Sequence, residues 1–463
     1  MKTEPDQVYK SFGDLPPQSI KTDNIRRPVP GSFIRVGQIT FGFTHELQLD
    51  IENIMTWTIN PASVGSEVHP SGNACVPCFT SNEYAIDSVN QMTFRPVAAL
   101  SADDFHALER LAFQYGETPY SYLAVESHRH CYLAADHSVA LSVIISGRKL
   151  HIFGGILAPF EARRRVINQL GQLAKQTNLL INCYSISEQD RMLFEEEGWE
   201  VTKFGEETWL KLQPHTWSGK SYDWVRRQYN YCQRAGLSCR EVFHQTMDNV
   251  SLQQLTQELF DIQKEDLKDR VYTGEMNYIV GKLQPAALGR RRLFIAENDE
   301  TGRVEGFIVA NPMRGGKAWG FEMYRKRQDA PRGCVPFLIK WTIDALKSEG
   351  AEEASLCMLL WKDTHRFVGK RTSPLARWGL VVAWHVGDFF YNTKGMTHFK
   401  TRFRPELSNC YVCVTPRITI LSCIDFFHVI GAFSFSVRNV CRNAWRSFAF
   451  RSRISNSGDS PSK

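Results

Sequence analysis

An α+β fold built from two similarly ordered units in series is what the 463-residue sequence predicts. Three observations predict it. The chain is too long for one ordinary core. Apolar residues make up 43% and charged residues 22%, a globular composition. A helix–strands–helix–strand order then runs twice along the chain.

Taken in order, residues 1–95 carry Pro16, Pro17, Pro28, Pro30, Pro61 and Pro70 and hold no long period, so an irregular N-terminal segment is expected. From Ser101, SADDFHALERLAFQYG has an Asp-capped start and helical apolar spacing at Phe105, Leu108, Leu111 and Ala112. CYLAAD, VALSVIIS and KLHIFGG read as successive strands. ARRRVINQLGQLAKQTN is an amphipathic helix, LINCYSI a strand, EQDRMLFEEEGW a helix stopped by Gly198, and ETWLKLQ a last strand. This first unit occupies residues 96–218.

GKSYDWVRRQYNYCQRAG (219–236) reads as a basic, aromatic-bearing helix bridging to the second unit, and the two together fill 219–417. There SLQQLTQELFDIQKEDL is helical, RRLFIAEN, EGFIVANPM and KAWGFEMYR are strands, PFLIKWTIDALKSEG is a helix ended by Gly350, and EASLCML is a strand. Residues 418–463 form a basic, amphipathic tail. From 401 to 463 nine Lys/Arg oppose three acids (Glu406, Asp425, Asp459), which leaves +6, equal to the net charge of the whole chain. Asp425 and His428 interrupt its apolar run, so it makes a poor spanning helix. Two readings stand level: an interfacial helix with Arg438, Arg442 and Arg446 on one face, or a packed C-terminal helix.

Composition excludes several classes. The mean hydropathy of −0.31 and the lack of long charge-free apolar runs argue against a polytopic membrane protein. The N-terminus has no apolar signal core, so a cytoplasmic protein is expected. Twelve scattered cysteines form no disulfide framework. His69, Cys75 and Cys78 have the look of half a zinc site but lack a second half, and His128, His130 and Cys131 sit at the start of a strand. Both groups read as structural, and no metal is expected.

Four stretches then carry a resemblance. They are FEMYRKRQDAPRG (321–333), the helix and strand FLIKWTIDALKSEGAEEASLCM, SPLARWGLVVAWHVGDFFYNTKGMTHFKTRFRP (373–405), and KFGEETWLKL (203–212) followed by the bridging helix. In this order they resemble the C-terminal catalytic domain of the phosphatidylglycerol lysyltransferase (lysylphosphatidylglycerol synthase) family, over roughly residues 100–417. The resemblance implies tandem GNAT-like units, that is, acyl-CoA N-acyltransferase-like folds. It also implies transfer of an amino acid from aminoacyl-tRNA to a membrane lipid hydroxyl, phosphatidylglycerol first among acceptors. It covers the catalytic part alone, so a freestanding synthase without the membrane-embedded flippase region is expected, peripheral at the inner face of an anionic phospholipid membrane. Aminoacyl-tRNA is the donor, and no cofactor is implied.

The resemblance also singles out residues. Glu322 stands where the family commonly has Asp, and is assigned to the ammonium group of the aminoacyl moiety or to general-base duty. Arg325 is a candidate for phosphate or carbonyl oxygen. Three residues apart on a strand they point to opposite faces unless a bulge intervenes; otherwise they read as a surface ion pair. Lys400 and Arg402, the latter in place of a family Lys, alternate with Phe399 and Phe403, as on a strand with one basic and one aromatic face. Arg226 and Asn230, one helical turn apart beside Arg227, are candidates for the tRNA acceptor end, and Asn392 stands in the Tyr-Asn-x-x-Gly stretch. Three other readings compete: an acyl-CoA-dependent N-acyltransferase, a peptidoglycan-bridge aminoacyltransferase, and a catalytically silent lipid- or RNA-binding module. The first is weakened by QDAPRGCVPF, whose single Gly333 and two prolines restrict backbone approach to a diphosphate.

Overall fold

The computed structural model describes residues 92–270, 276, 279–367, 371–386 and 393–431. The first series begins with β1 (Phe94–Pro96), α1 (Ala102–Tyr115), β2 (His130–Leu133), β3 (Ala140–Ser146) and β4 (Lys149–Leu157). It continues with α2 (Phe160–Thr177), β5 (Leu180–Ile186), α3 (Glu188–Glu196) and β6 (Glu200–Lys211). The bridging helix is α4 (Asp223–Arg234), followed by β7 (Leu237–Val242). The second series holds α5 (Asn249–Asp269), β8 (Arg292–Asn298), β9 (Val304–Met313), β10 (Ala318–Lys326), α6 (Cys334–Ser348), β11 (Glu353–Ser355) and β12 (Leu359–Leu360). The chain then runs through α7 (Pro374–Val386), α8 (Thr393–Thr401), β13 (Glu406–Thr415) and α9 (Ile420–Val429).

Local chemistry sets the helix ends. The side chains of Ser101, Ser187 and Asp248 each accept a backbone N–H from the first turns of α1, α3 and α5. The cap of α1 is thus Ser101 and not an Asp, since Asp103 and Asp104 lie inside its first turn. At α9, Thr419 and Ser422 close a reciprocal capping box. Asn178, in the left-handed region, ends α2. Apolar stripes then bury these helices. Val166, Ile167 and Leu170 of α2 join Phe194 and Trp199 in the first core. On β10, Phe321 faces the core under α6, while Met323 faces Leu255, Leu259 and Ile262 of α5.

The two series share one mixed sheet, ordered β1-β2-β3-β4-β5-β13-β6-β11-β10-β9-β8-β7, with β12 paired to β6 off that path. Their last strands are exchanged: β6 pairs with β11 of the second series, and β13 lies between β5 and β6. In each series one parallel pairing is short. Lys149–Ile152 meet Leu180–Cys183, and Ala318–Gly320 meet Glu353–Ser355. Beyond those residues β4 and β10 leave their parallel neighbours. The α+β tandem expected from the sequence is thus present, with a join made by strand exchange.

Several elements differ from expectation. The EASLCML strand breaks after Ser355, because Cys357 takes a positive φ of 66°. The 399–403 stretch is no strand. Residues Thr393–Thr401 are helical and end in a turn, so Phe399 and Phe403 lie together, 5.6 Å apart, by helical spacing. Five alternating residues fit either period, and the rings decide it by both packing on Trp224. Lys400 and Arg402 consequently share no face: Lys400 is buried, and Arg402 lies 4.6 Å over the Trp224 ring.

Of the C-terminal tail, α9 is described and packs. Phe426 stacks on Tyr184, and Asp425 accepts from His151 Nε2 (2.8 Å) and Ser146 (2.8 Å), with Lys149 at 3.4 Å. His151 Nδ1 meets the Tyr184 hydroxyl at 3.0 Å. The charge that spoiled a spanning helix is therefore a docking contact. Arg438, Arg442 and Arg446 lie outside the described residues, as does the 1–91 segment with His69, Cys75 and Cys78. Among the described residues no helix is long and apolar enough to cross a membrane.

This contact has a pH signature. Burial holds the His151 pKa below that of a free imidazole, and the His151 hydrogen bond helps hold the Asp425 pKa below its usual value against burial. Both groups bind fewer protons folded than unfolded, so both lend stability that falls as pH falls. For His151 the loss begins near its unfolded pKa of about 6.5. The melting temperature is expected to drop by a few degrees on acidification from neutrality toward pH 5, and the drop should shrink in His151→Phe. An unchanged pH dependence in that variant would remove His151 from the account.

Candidate active site

Glu322 lies on β10 at an irregularity. Phe321 pairs with Ala310 and Met323 with Val309, which leaves Glu322 as the extra residue of a β-bulge. Gly320, just before it, has no room for a Cβ, because Pro119 would lie 2.5 Å from that atom. The 117–120 loop therefore presses directly onto the sheet beside the bulge. The bulge was the condition for bringing Glu322 and Arg325 together, yet the structure gives them separate partners. Arg325 Nε lies 3.0 Å from Asp266 on α5. Glu322, its side chain fully buried, accepts from the Gly281 N–H (2.6 Å) and from Arg291 Nη2 (3.0 Å).

Arg291 is the centre of this group. It also donates to the Asn311 side chain (2.8 Å) and the Lys282 carbonyl (3.2 Å), and lies 3.5 Å from Glu126. Glu126 in turn accepts from the Lys282 N–H and from Arg129. Burial raises the Glu322 pKa, opposed by Arg291 and the Gly281 N–H. Arg291 was not found from sequence. It sits inside the run Arg290-Arg291-Arg292 ahead of an apolar strand, and such a run reads as solvated. The signal that could have found it is that placement, since a strand start turns successive side chains to different neighbours. Here Arg290 goes to Glu109 and Arg292 to Glu241 and Glu349.

A second polar group lies across β11. Glu207 on β6 is 6% exposed and accepts the Ser355 hydroxyl, which also accepts the Cys357 N–H at 2.8 Å. Lys400 donates to the Cys357 and Met358 carbonyls, each at 3.1 Å. The Cys357 thiol donates to the Phe321 carbonyl (3.2 Å), one residue before the bulge. Through Cys357 and Phe321 the two polar groups are thus joined by hydrogen bonds. Burial carries the Glu207 carboxyl up to about 7, with Ser355 and Lys400 pulling the other way. Burial also lowers the Lys400 pKa. Glu207 borders a cavity of about 330 Å³ with Trp209, Arg314, Ser185 and Asn409 in its wall.

The remaining expected residues lie elsewhere. Arg226 donates to the Trp217 and Gly219 carbonyls (2.5 and 2.8 Å), which ties down the start of α4, and Asn230 is exposed on the same helix. Neither meets Glu322. Asn392 lies outside the described residues. Gly333, at φ 118°, opens α6, but Gln228 of α4 lies against it, 2.6 Å from where a Cβ would stand. Among the described residues no cluster of His, Cys, Asp and Glu could hold a metal ion.

Residues 109–414 match the family described as phosphatidylglycerol lysyltransferase, C-terminal. The chain belongs to that family. Both polar groups fall inside the matched range. The phosphatidylglycerol lysyltransferase of Bacillus subtilis (strain 168) is 24% identical over 308 residues, which are 66% of this chain and 34% of that protein. The chain thus spans about a third of the length of that relative. L-PGS from Bacillus licheniformis superposes with a TM-score of 0.58 at 19% identity, covering 72% of this chain and 97% of that one. A C-terminal domain assigned to a lysylphosphatidylglycerol synthetase from Agrobacterium fabrum gives 0.57 at 19% identity, with 72% and 95% covered. At these identities the two structures speak to the lysyltransferase-domain fold, which this chain shares.

Proposed function

We propose that the chain transfers an amino acid from aminoacyl-tRNA to a lipid hydroxyl, with phosphatidylglycerol as acceptor. The observation that carries this reading is the buried Glu322 carboxylate, set in a bulge and bound to Arg291, in the stretch where the resemblance puts the family's acid. In it Glu322 serves the ammonium end of the aminoacyl group. Transfer replaces one oxygen ester by another and needs no redox group. What it does need is a fixed carbonyl, a site for the ammonium, and a route for one proton. The added ammonium would make the membrane surface less negative.

Contact with the membrane belongs to the same proposal. α9 exposes Leu421 (70%) and Ile424 (49%), and the basic residues Arg438, Arg442, Arg446, Arg451 and Arg453 follow it in sequence. That pairing suits an anionic lipid surface. The acyl-CoA alternative fares worse, because Gln228 occupies the approach to Gly333 at the start of α6, where a diphosphate would need the backbone.

Expression in a bacterial host lacking aminoacylated lipids tests the proposal. A new ninhydrin-positive, base-labile phospholipid is expected with the wild-type chain, and at least a hundredfold less with Glu322→Gln at equal folded protein. No such lipid despite folded wild-type protein would sink the assignment to phosphatidylglycerol.

A further inference from the structure

Glu207 is a costly residue to keep. A carboxyl on a central strand, 6% exposed, is held by neutral donors only, the Ser355 hydroxyl and the Thr208 backbone N–H. Its neighbour Glu206 points to the other face and is paired twice, by Lys203 (2.7 Å) and Lys362 (2.6 Å). Lys400 is the cation that favours the Glu207 carboxylate electrostatically. Its ammonium is committed to two carbonyls and acts on Glu207 through space. A buried acid without an ion pair destabilises a fold, and such groups cluster where chemistry is done.

Its surroundings give it something to do. One side of the carboxyl is fixed: Ser355 donates to Oε1 and is itself oriented by the Cys357 N–H. The Thr208 N–H also reaches the carboxyl, and Glu207 lines the 330 Å³ cavity. From β13, Glu406 and Cys410 line it; from α3, Glu188; from the loop after α1, Glu117; from β11, Glu353, paired with Arg314. Lys400 of α8 and the Cys357 thiol interact electrostatically with Glu207 itself. The Cys357 and Cys410 thiols are buried with pKa values pushed up, so neither supplies a thiolate. Glu207 is the cavity-lining acid whose carboxyl is carried close to neutrality, where a proton can be both taken and returned.

We propose that Glu207 is a catalytic residue, the base that takes the proton from the attacking hydroxyl inside this cavity. The inference rests on the proposed aminoacyl transfer. The acceptor O–H gives its proton to the Glu207 carboxylate as its oxygen bonds to the ester carbonyl carbon. The ester C–O bond to the ribose then breaks, and the leaving ribose oxygen takes the proton back from Glu207. Atoms and charges balance with no further reactant. Glu322 keeps the ammonium end, so the two acids divide the work across the Ser355–Cys357–Phe321 link.

Glu207→Gln tests it, since the amide keeps the size and can still accept from Ser355. The full chain is assayed with aminoacyl-tRNA and phosphatidylglycerol vesicles from pH 5.5 to 9, beside a melting curve of each variant. The wild-type rate is expected to rise with pH through about 7 and then level. In Glu207→Gln the rate should fall by about 10²–10⁴-fold with the pH limb gone and the melting temperature kept. A limb that survives in Glu207→Gln, or a loss confined to KM, would overturn the role. Should the wild type make no aminoacyl-lipid, the lipid reading fails by itself, and the same limb is then read in hydrolysis of aminoacyl-tRNA, with water as the acceptor. Turnover of neither kind overturns both.

Discussion

Glu322→Ala is expected to unfold the protein more easily, by about 3–5 kcal/mol, because it strands a buried guanidinium. The Arg291 side chain is 5% exposed and Glu322 is its closest carboxylate partner. Glu126, at 3.5 Å, partly compensates, which places the expected loss toward the lower end of that range. The Gly281 N–H also loses its acceptor. Urea midpoints at unchanged m-value measure this directly. A loss under about 1 kcal/mol would mean that Glu126 or water takes over the pairing. Glu322→Gln keeps the shape and the Gly281 acceptor, so it should cost less and separates chemistry from folding. Arg291→Met combined with Glu322→Leu should regain much of the lost stability while remaining inactive, since a buried pair can often be replaced by apolar groups of like size.

How far the sequence disclosed this protein depends on whether a feature is local. The helices α1, α2, α3, α5 and α6 announce themselves through apolar period, and Gly198 and Gly350 stop α3 and α6 where expected. β13 was missed because ELSNCYVCVT mixes polar and apolar residues. Its partners, β5 and β6, are some 200 residues earlier, and only the assembled sheet tells which side is buried. Glu322 is singled out by a family stretch, whereas Arg291 is not, because its contacts come from folding β8 and the 279–291 loop onto the bulge. Glu207 was quoted only as part of a recognisable strand. Nothing in a Gly-Glu-Glu sequence tells that one acid is doubly ion-paired and the next has only a hydroxyl and a backbone N–H.

Lys400 shows the same limit and gives the second large effect. As one of a basic pair on a strand it looked like a phosphate ligand; as a helix residue 4% exposed it holds the backbone that shapes the site. Its bonds to the Cys357 and Met358 carbonyls sit at the left-handed turn that ends β11, a conformation a non-glycine residue keeps only under constraint. Lys400→Ala should therefore cost about 2–4 kcal/mol, from a cavity and from the Met358 carbonyl losing its charged donor. Lys400→Met, which fills the space, should cost less and carry the functional signature. Removing the nearby cation makes the Glu207 carboxylate harder to form, so its pKa rises, and the midpoint of the pH–rate limb should move to higher pH with little change in KM for the tRNA. A phosphate ligand would behave in the opposite way: KM for the tRNA would rise, the salt dependence of binding would flatten, and the midpoint would stay. The two profiles cannot be confused, and the second would mean that Lys400 leaves its carbonyls when substrate binds.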